Sequence, residues 1–425
     1  MKIALWSPRP QTPASTWVAA LLPSLLRDVE VVRVEEETAD PPAADLHVYE
    51  IANDPDHAFA YRAALARPGV VVLHDWSIHG LLARVTLGAG DAHAYIREMR
   101  RAHGQTGTFV ARQVARGLGG PLLPSLLAAN DRLFEGSLGV VAVTERLGRR
   151  TARRLPGRPV MALPLDFLRP AVAVPGRDEA RHALGLPEGA LVVAVSAEDP
   201  PAARLPIVLR VLDRLRRDHP SLQVLGLGPT GAFSAIFRAT LIATASRADL
   251  VRGIAAADVV VALRFPAPGG VPEVVVRSLE VGRPVLVTAG TPPAEELPEG
   301  VVVPVDPHVT EEPELEALLG QLLAEPDLRR RVGVLARAHF AAARNPEGAA
   351  ARLLAFLRTV AATQDEIVRV IVADRVDERT LLGYAMEEVR SGARDLGLVG
   401  LPLGLEPLLS GLLSGSGDTA GPERR

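Results

Sequence analysis

Residues 254–287, IAAADVVVALRFPAPGGVPEVVVRSLEVGRPVLV, constrain the fold of this chain more than any other stretch. Asp258 precedes an apolar, β-branched run at 259–263, which has the length and content of a strand buried on both faces. Pro266, Pro268, Gly269 and Gly270 then form a turn, and 271–281 read as a helix. Gly282 suits its C-cap, and 284–288 supply the next strand. A glycine turn entering a helix presents unpaired backbone N–H groups and the positive end of the helix dipole, which suits a phosphate. Glycine is also what any doubly wound fold needs at a tight strand-to-helix turn, so these residues alone leave both readings open.

The same alternation runs along the chain. Strand-like runs fall at 3–6, 29–34, 46–51, 70–74, 140–144 and 160–163, then at 191–197, 222–227, 241–244, 259–263, 285–288 and 301–305. Intervening segments such as 17–26 and 58–65 carry apolar residues at helical spacing. Alternation of this kind predicts the α/β class, with parallel sheets covered by helices on both faces. Between 87 and 137 no strand candidate occurs, and 91–101, 106–118 and 122–134 read as consecutive inserted helices. The proline-rich segment 164–177 divides two halves of similar design, and 425 residues suit two domains. Two doubly wound domains facing a cleft place ligands at the carboxyl ends of their strands.

Beyond 305 the pattern is helical, at 311–323, 328–342, 347–362 and about 364–390. The last stretch, LGLVGLPLGLEPLLSGLLSGSGDTAGPERR, is too broken for a stable helix and too apolar for an ordinary solvated tail. It suits docking on a groove or a protein partner, or packing on its own domain with 414 onward disordered.

Several classes are excluded. A net charge of −3 argues against a nucleic-acid binder that relies on bulk charge. The absence of cysteine removes thiolate metal sites, disulfides and cysteine nucleophiles. No His/Asp/Glu spacing suggests a metal site. The opening MKIALWSPRP is one short strand with no signal-peptide core behind it, and no run of about 18 apolar residues exists, so a cytoplasmic protein without a transmembrane segment is expected. Lys2 is the only lysine, so a site that needs a cation must use arginine.

Six collinear segments carry a family resemblance: YEIANDPDH (49–57), GVVVLHDWSIHG (69–80), GVVAVTERLGRR (139–150), RHALGLPEGALVVAVSA (181–197), IAAADVVVALRFP (254–266) and RSLEVGRPVLV (277–287). Through them, residues 1 to about 362 resemble the GT-B glycosyltransferases of family 4, retaining enzymes that use nucleotide-activated sugars. The nearest subgroup is bacterial, with LHD and R-x-L-x-x-G-[KR]-P-V motifs. The resemblance implies GT-B architecture, two doubly wound Rossmann-like domains facing a central cleft, plus a C-terminal helical extension. Residues 1–168 would form the acceptor-side domain, with a helical insertion at about 88–137, and 169–345 the nucleotide-sugar domain. C-terminal helices at 346–390 and the apolar, then flexible, tail at 391–425 would follow. The implied activity is transfer of a hexose from a nucleotide-sugar to a hydroxyl of a saccharide or lipid-linked acceptor. The nucleotide-sugar is then a substrate, and no cofactor is expected. A lipid-linked acceptor would entail peripheral membrane contact.

On the acceptor side the resemblance implies His74 and Asp75, with His74 bonding the sugar or polarising the acceptor hydroxyl and Asp75 orienting it. Read without the family, the two are a capping pair for a helix starting near Ser77. Asn53 and His57 also follow a strand end; Asn53 is otherwise a turn former, with Asp54 or Asp56 as a cap. On the donor side Arg204, Arg264 and the amides of Gly269 and Gly270 would stabilise a diphosphate, with Glu273 and Arg277 beside them. Glu273 otherwise serves its helix N-terminus, and Arg277 with Glu280 reads as a surface ion pair. Glu295 and Glu296 fall where the family has a loop near the ribose or base, and a solvated loop fits them equally. The arginine runs at 149–154 and 329–331 read as solvated helix faces.

The chain departs from the family pattern in three places. Gly269 and Gly270 occupy the position of a glutamate, and Ala202 or Ala203 that of a phosphate-clamping lysine. The loop SPRPQTPAST (7–16) lacks the glycine that approaches the donor. These departures define the alternative reading, a catalytically degenerate GT-B protein that acts as a binding or scaffolding subunit. A nucleotide-sugar epimerase of similar architecture ranks third, because paired acidic and histidine residues are not evident.

Overall fold

The computed structural model describes residues 1–9, 16–164, 172–197, 202–228, 240–243, 246–267 and 269–375. The tail at 391–425, the end of the 364–390 helix and most of the loop at 7–16 lie outside them, as does part of the 164–177 link.

Six strands form the first sheet: β1 (Lys2–Trp6), β2 (Glu30–Val34), β3 (Leu46–Ile51), β4 (Gly69–Leu73), β5 (Ser137–Ala142) and β6 (Val160–Ala162). Their order is β2-β1-β3-β4-β5-β6, and every pair is parallel. The second sheet holds β7 (Leu191–Ser196), β8 (Leu222–Gly228), β9 (Thr240–Ala243), β10 (Val259–Ala262), β11 (Val285–Thr288) and β12 (Val303–Val305). Its order is β12-β11-β10-β7-β8-β9, again parallel throughout. Each sheet reverses winding direction once, beside β1 and beside β7. Crevices for ligands open at such points, at the carboxyl ends of the strands.

The unbroken apolar character of these strands has a direct cause. Val192, Ala194, Val260 and Val285 feed a core on one face of the second sheet, against the helices Arg247–Ala256 and Glu273–Val281. Val193, Val195, Val259 and Leu286 feed a second core on the other face, against Leu205–Asp218 and Glu311–Ala324. Both alternating sets are buried, at about 1.5–3 kcal/mol for each large apolar side chain.

The insertion differs in detail from its sequence reading. The helix Ala92–Ala115 is interrupted where Gly104 leaves helical geometry at φ 59°, which is the break expected between 101 and 106. The segment 122–134 is not one helix but two short ones, Leu123–Leu126 and Asp131–Glu135. Asn130, between them, donates to the Trp76 carbonyl and so ties the insertion to the loop after β4. At the C-terminal end, 347–362 and the following segment form one helix, Pro346–Arg375, because no glycine or proline separates them. Among the described residues no helix is long and apolar enough to cross a membrane.

Candidate functional site

Three adjacent strand ends of the first sheet converge on one buried carboxylate. Glu50, the penultimate residue of β3, is fully buried. Ser7, just after β1, donates its hydroxyl to Oε2, and His74, just after β4, places Nε2 3.0 Å from Oε1. A carboxylate only accepts, so His74 carries its proton on Nε2 and donates to Glu50. His57, in the turn Pro55–His57, is also fully buried, and its Nδ1 donates to the Glu50 carbonyl at 2.8 Å. In a neutral ring that leaves Nε2 as an acceptor, and this atom has no hydrogen-bond partner among the described residues. The His57 and His74 ring centroids are 6.5 Å apart.

Asp75 Oδ2 accepts the Asn53 backbone N–H at 2.9 Å, while Glu50, which the sequence reading did not single out, bonds the His74 imidazole. Asp75 is not the cap of a helix near Ser77, since the helix there spans His79–Val85 with Ile78 at its N-cap. A paired acid and histidine is present after all. Asn53 accepts the Leu81 N–H on Oδ1 at 2.9 Å, so its side chain anchors that helix, while Asp54 caps the turn through the Asp56 N–H.

In the second sheet the loops after β7 and β10 meet at the switch point. The Phe265 N–H donates to the Ala202 carbonyl at 2.9 Å, and the Arg264 N–H to Thr288 Oγ1 at 3.0 Å. Gly269 and Gly270 follow, and the helix Glu273–Val281 starts behind Pro272, leaving its first amides without intrahelical partners. Gly269 also marks where the two domains meet. A Cβ there would run into Oδ1 of Asp75, so the glycine turn and the His74–Asp75 segment face each other directly across the cleft.

The other donor-side cations are already matched by carboxylates. Arg204 caps the helix Leu205–Asp218 at φ 54°, the one positive φ of a non-glycine residue among those described. Its Nε lies 3.0 and 3.1 Å from the two oxygens of buried Glu311, and Nη2 also bonds that carboxylate. That hydrogen bonding, with Coulomb attraction, pushes the Arg204 guanidinium up despite partial burial. Ala202 and Ala203 are buried, so no side chain stands where a second cation would. Glu273 bonds Arg247 at 2.5 Å. Arg277 is fully buried, pairs with Glu280 and lies over the Phe340 ring, so this pair is a core feature and not a surface one.

Glu295 and Glu296 end the short helix Pro292–Glu296 after β11, with Glu295 exposed and Glu296 partly buried. Glu296 accepts the Arg146 N–H at 2.9 Å at the start of the helix Glu145–Arg154, and Glu295 pairs with the Arg146 guanidinium at 2.7 Å. They latch the two domains together. The arginine runs also have contacts: Arg150 stacks on Trp76 at 3.8 Å, Arg154 pairs with Asp131, and Arg329 donates to the Leu322 and Leu323 carbonyls.

Comparison with known proteins bears on the fold. No protein-family model matches the chain, and no curated protein matches it by sequence. Solved structures do. Sucrose-phosphate synthase from Thermosynechococcus elongatus superposes with a TM-score of 0.52 at 17% identity, covering 85% of this chain and 100% of that one. HepE of Anabaena, solved with UDP and glucose, gives 0.50 at 15%, covering 84% and 99%. WaaG, a glycosyltransferase of lipopolysaccharide biosynthesis, gives 0.50 at 15%, covering 82% and 98%. The chain therefore has the α/β GT-B fold, two doubly wound Rossmann-like domains facing a central cleft.

Proposed function

We propose that the protein is a retaining, family-4-like glycosyltransferase, moving a hexose from a nucleotide-sugar to a hydroxyl of a saccharide or lipid-linked acceptor. The observation that carries this reading is the meeting of the Gly269–Gly270 turn with the His74–Asp75 segment across the cleft of a GT-B fold. Diphosphate oxygens would lie against the glycine amides, the first turn of Glu273–Val281 and Arg264. The sugar would then project toward His74, whose imidazole Glu50 holds in one tautomer. Transfer breaks the bond between the anomeric carbon and the diphosphate and forms one to the acceptor oxygen. The acceptor proton leaves with the diphosphate. Positioning and neutralisation of the departing charge carry the rate, with no protein nucleophile required.

The pairing of Arg204 with Glu311 and of Glu273 with Arg247 favours a second reading, a GT-B subunit that binds without catalysing. Thermal unfolding with a panel of nucleoside diphosphates tests both. A ligand at about 100 times its Kd stabilises by about 2.7 kcal/mol, and Arg264→Ala should abolish the shift. No shift with any nucleotide at millimolar concentration removes the enzyme reading and leaves only a scaffolding role. A shift without sugar transfer or nucleotide-sugar hydrolysis selects the second.

A further inference from the structure

A second cationic region lies at the opposite end of the second sheet from the cleft, where β10 and β11 begin. Arg177, Arg283, Arg329, Arg330 and Arg337 line a pocket of about 340 Å³ there, and Asp258 is the single acid of its lining. Five arginines to one acid is a local excess of positive charge in a chain whose 47 basic residues are outnumbered by 50 acidic ones.

The one acid does not neutralise them. Asp258 is fully engaged, holding Arg177 at 2.7 Å, Arg181 at 2.8 Å and the Val192 N–H at 2.8 Å. Arg181, buried beneath the pocket, adds another positive charge. Arg329 and Arg283 donate to carbonyls, those of Leu322, Leu323 and Ala255, which satisfy hydrogen bonds and leave the charge uncompensated. Burial pushes the Arg283 guanidinium down, and repulsion from Arg177 and Arg181 adds to this against the pull of Asp258. Arg330 has only Asp327, in a pair whose side chains are 73% and 74% exposed and therefore weak. Arg337 makes no hydrogen bond or ion pair among the described residues.

The concave shape is also built in. Gly282, at φ 77°, ends the helix Glu273–Val281, and a Cβ on Gly333 would collide with its carbonyl oxygen. The helices Glu273–Val281 and Pro326–Ala343 thus cross at backbone contact, and arginines rim the hollow where they meet. Guanidinium forks bind phosphate oxygens in bidentate fashion. The volume falls at the lower end of small-molecule sites and exceeds the needs of one inorganic phosphate.

We propose that this pocket is a binding site for a multiply charged phosphate-class anion, a diphosphate or phosphorylated metabolite or a phospholipid headgroup, distinct from the cleft. The proposal does not depend on the glycosyltransfer reading. Titration calorimetry of the full chain with inorganic pyrophosphate tests it. Comparison is made with R330E/R337E, two exposed positions on one helix, and with the cleft variant Arg264→Ala. Pyrophosphate should bind, Arg264→Ala should retain one binding event, and R330E/R337E should weaken that event at least about tenfold. Co-sedimentation with phosphatidylglycerol–phosphatidylcholine vesicles, against phosphatidylcholine alone, separates the sources. Pelleting lost in R330E/R337E assigns the headgroup; pyrophosphate binding without pelleting assigns a soluble anion. If the double variant melts lower than the parent, Arg337→Gln alone should still show a graded loss. Absence of binding to either probe overturns the proposal. So does binding that R330E/R337E leaves intact, or that Arg264→Ala abolishes entirely.

Discussion

Replacing Asp258 with alanine should unfold the second domain at markedly lower denaturant, and the size of the effect follows from its three partners. The carboxylate is 6% exposed and accepts from Arg177, Arg181 and the Val192 amide. Arg181 is 4% exposed, and its remaining bonds go to the Ala256 and Ala190 carbonyls, which carry no counter-charge. Alanine leaves that guanidinium buried without an anion, at about 3–5 kcal/mol. It also orphans the Val192 N–H, at about 1–3 kcal/mol. The two penalties share a carboxylate and do not add fully, so about 4–6 kcal/mol is expected. Against a typical stability of about 5–15 kcal/mol this is a large fraction.

Asparagine separates the contributions, because it keeps an acceptor for Val192 and loses the charge; about 3–5 kcal/mol is expected, with only the Val192 share recovered. Urea unfolding of the full chain, followed by circular dichroism, measures both variants. A pH series adds an independent check. Burial pushes the Asp258 carboxyl up, but the Val192 amide and the Arg177 and Arg181 guanidiniums outweigh it and hold the group below the usual range. A depressed carboxylate contributes stability that is present above its unfolded pKa of about 3.9 and is lost as pH falls through the folded value. The parent should therefore lose stability below about pH 4 along a slope that Asp258→Asn lacks. A loss under about 1 kcal/mol for Asp258→Ala would refute the reasoning.

Three further outcomes follow from the geometry. Gly269→Ala should cost about 1–3 kcal/mol of stability or of nucleotide affinity by overpacking against Asp75, and Asp75→Ala should restore part of it; strictly additive effects in the double-mutant cycle would show that the segments do not touch. Glu311→Gln should release Arg204 and tighten nucleoside diphosphate binding about three- to tenfold by calorimetry, whereas unchanged or weaker binding would place Arg204 outside the donor site. Burial, with the nearby Arg67, lowers His47 to about 4, and Trp6 donates to its Nδ1 at 3.1 Å. The unfolded chain thus binds the extra proton between about pH 4 and 6.5, and stability should rise with pH across that window by at most about 3 kcal/mol, less whatever solvent screens at this ring; a flat profile, or one that His47→Asn leaves unchanged, counts against it.

The strands and their parallel pairing were legible because each is buried on both faces and reads as a continuous apolar run. The Gly282 cap and the break near Gly104 were legible for a similar local reason, since only glycine adopts those backbone angles cheaply. Glu50 was missed although it stood within a recognised motif. A lone acid near the end of an otherwise apolar strand was the available signal, because a fully buried carboxylate must have partners. What was not legible is pairing over distance. Arg204 and Glu311 are 107 positions apart, and Arg146 and Glu296 are 150 apart. Nothing local in either segment distinguishes such a partner from an exposed helix-end charge.

These long-range pairs bear on how the cleft and the rear pocket divide the chain's positive charge. At the cleft, Arg204 and Arg247 each face a carboxylate, in Glu311 and Glu273. An incoming diphosphate must compete with those acids or rely on Arg264 and backbone amides, which supply direction with little net charge. At the rear of the same domain five arginines line a pocket whose single lining acid, Asp258, already serves Arg177, Arg181 and the Val192 amide. The further acids near them, Asp178 and Asp327, are exposed. Anion affinity grows with uncompensated charge, not with the number of cations present. On the two proposals above, the end of the second domain far from the cleft would be the stronger attractor for a free polyanion. The cleft would be the more selective site, taking a diphosphate only when the rest of the donor supplies enough contact to displace the acids.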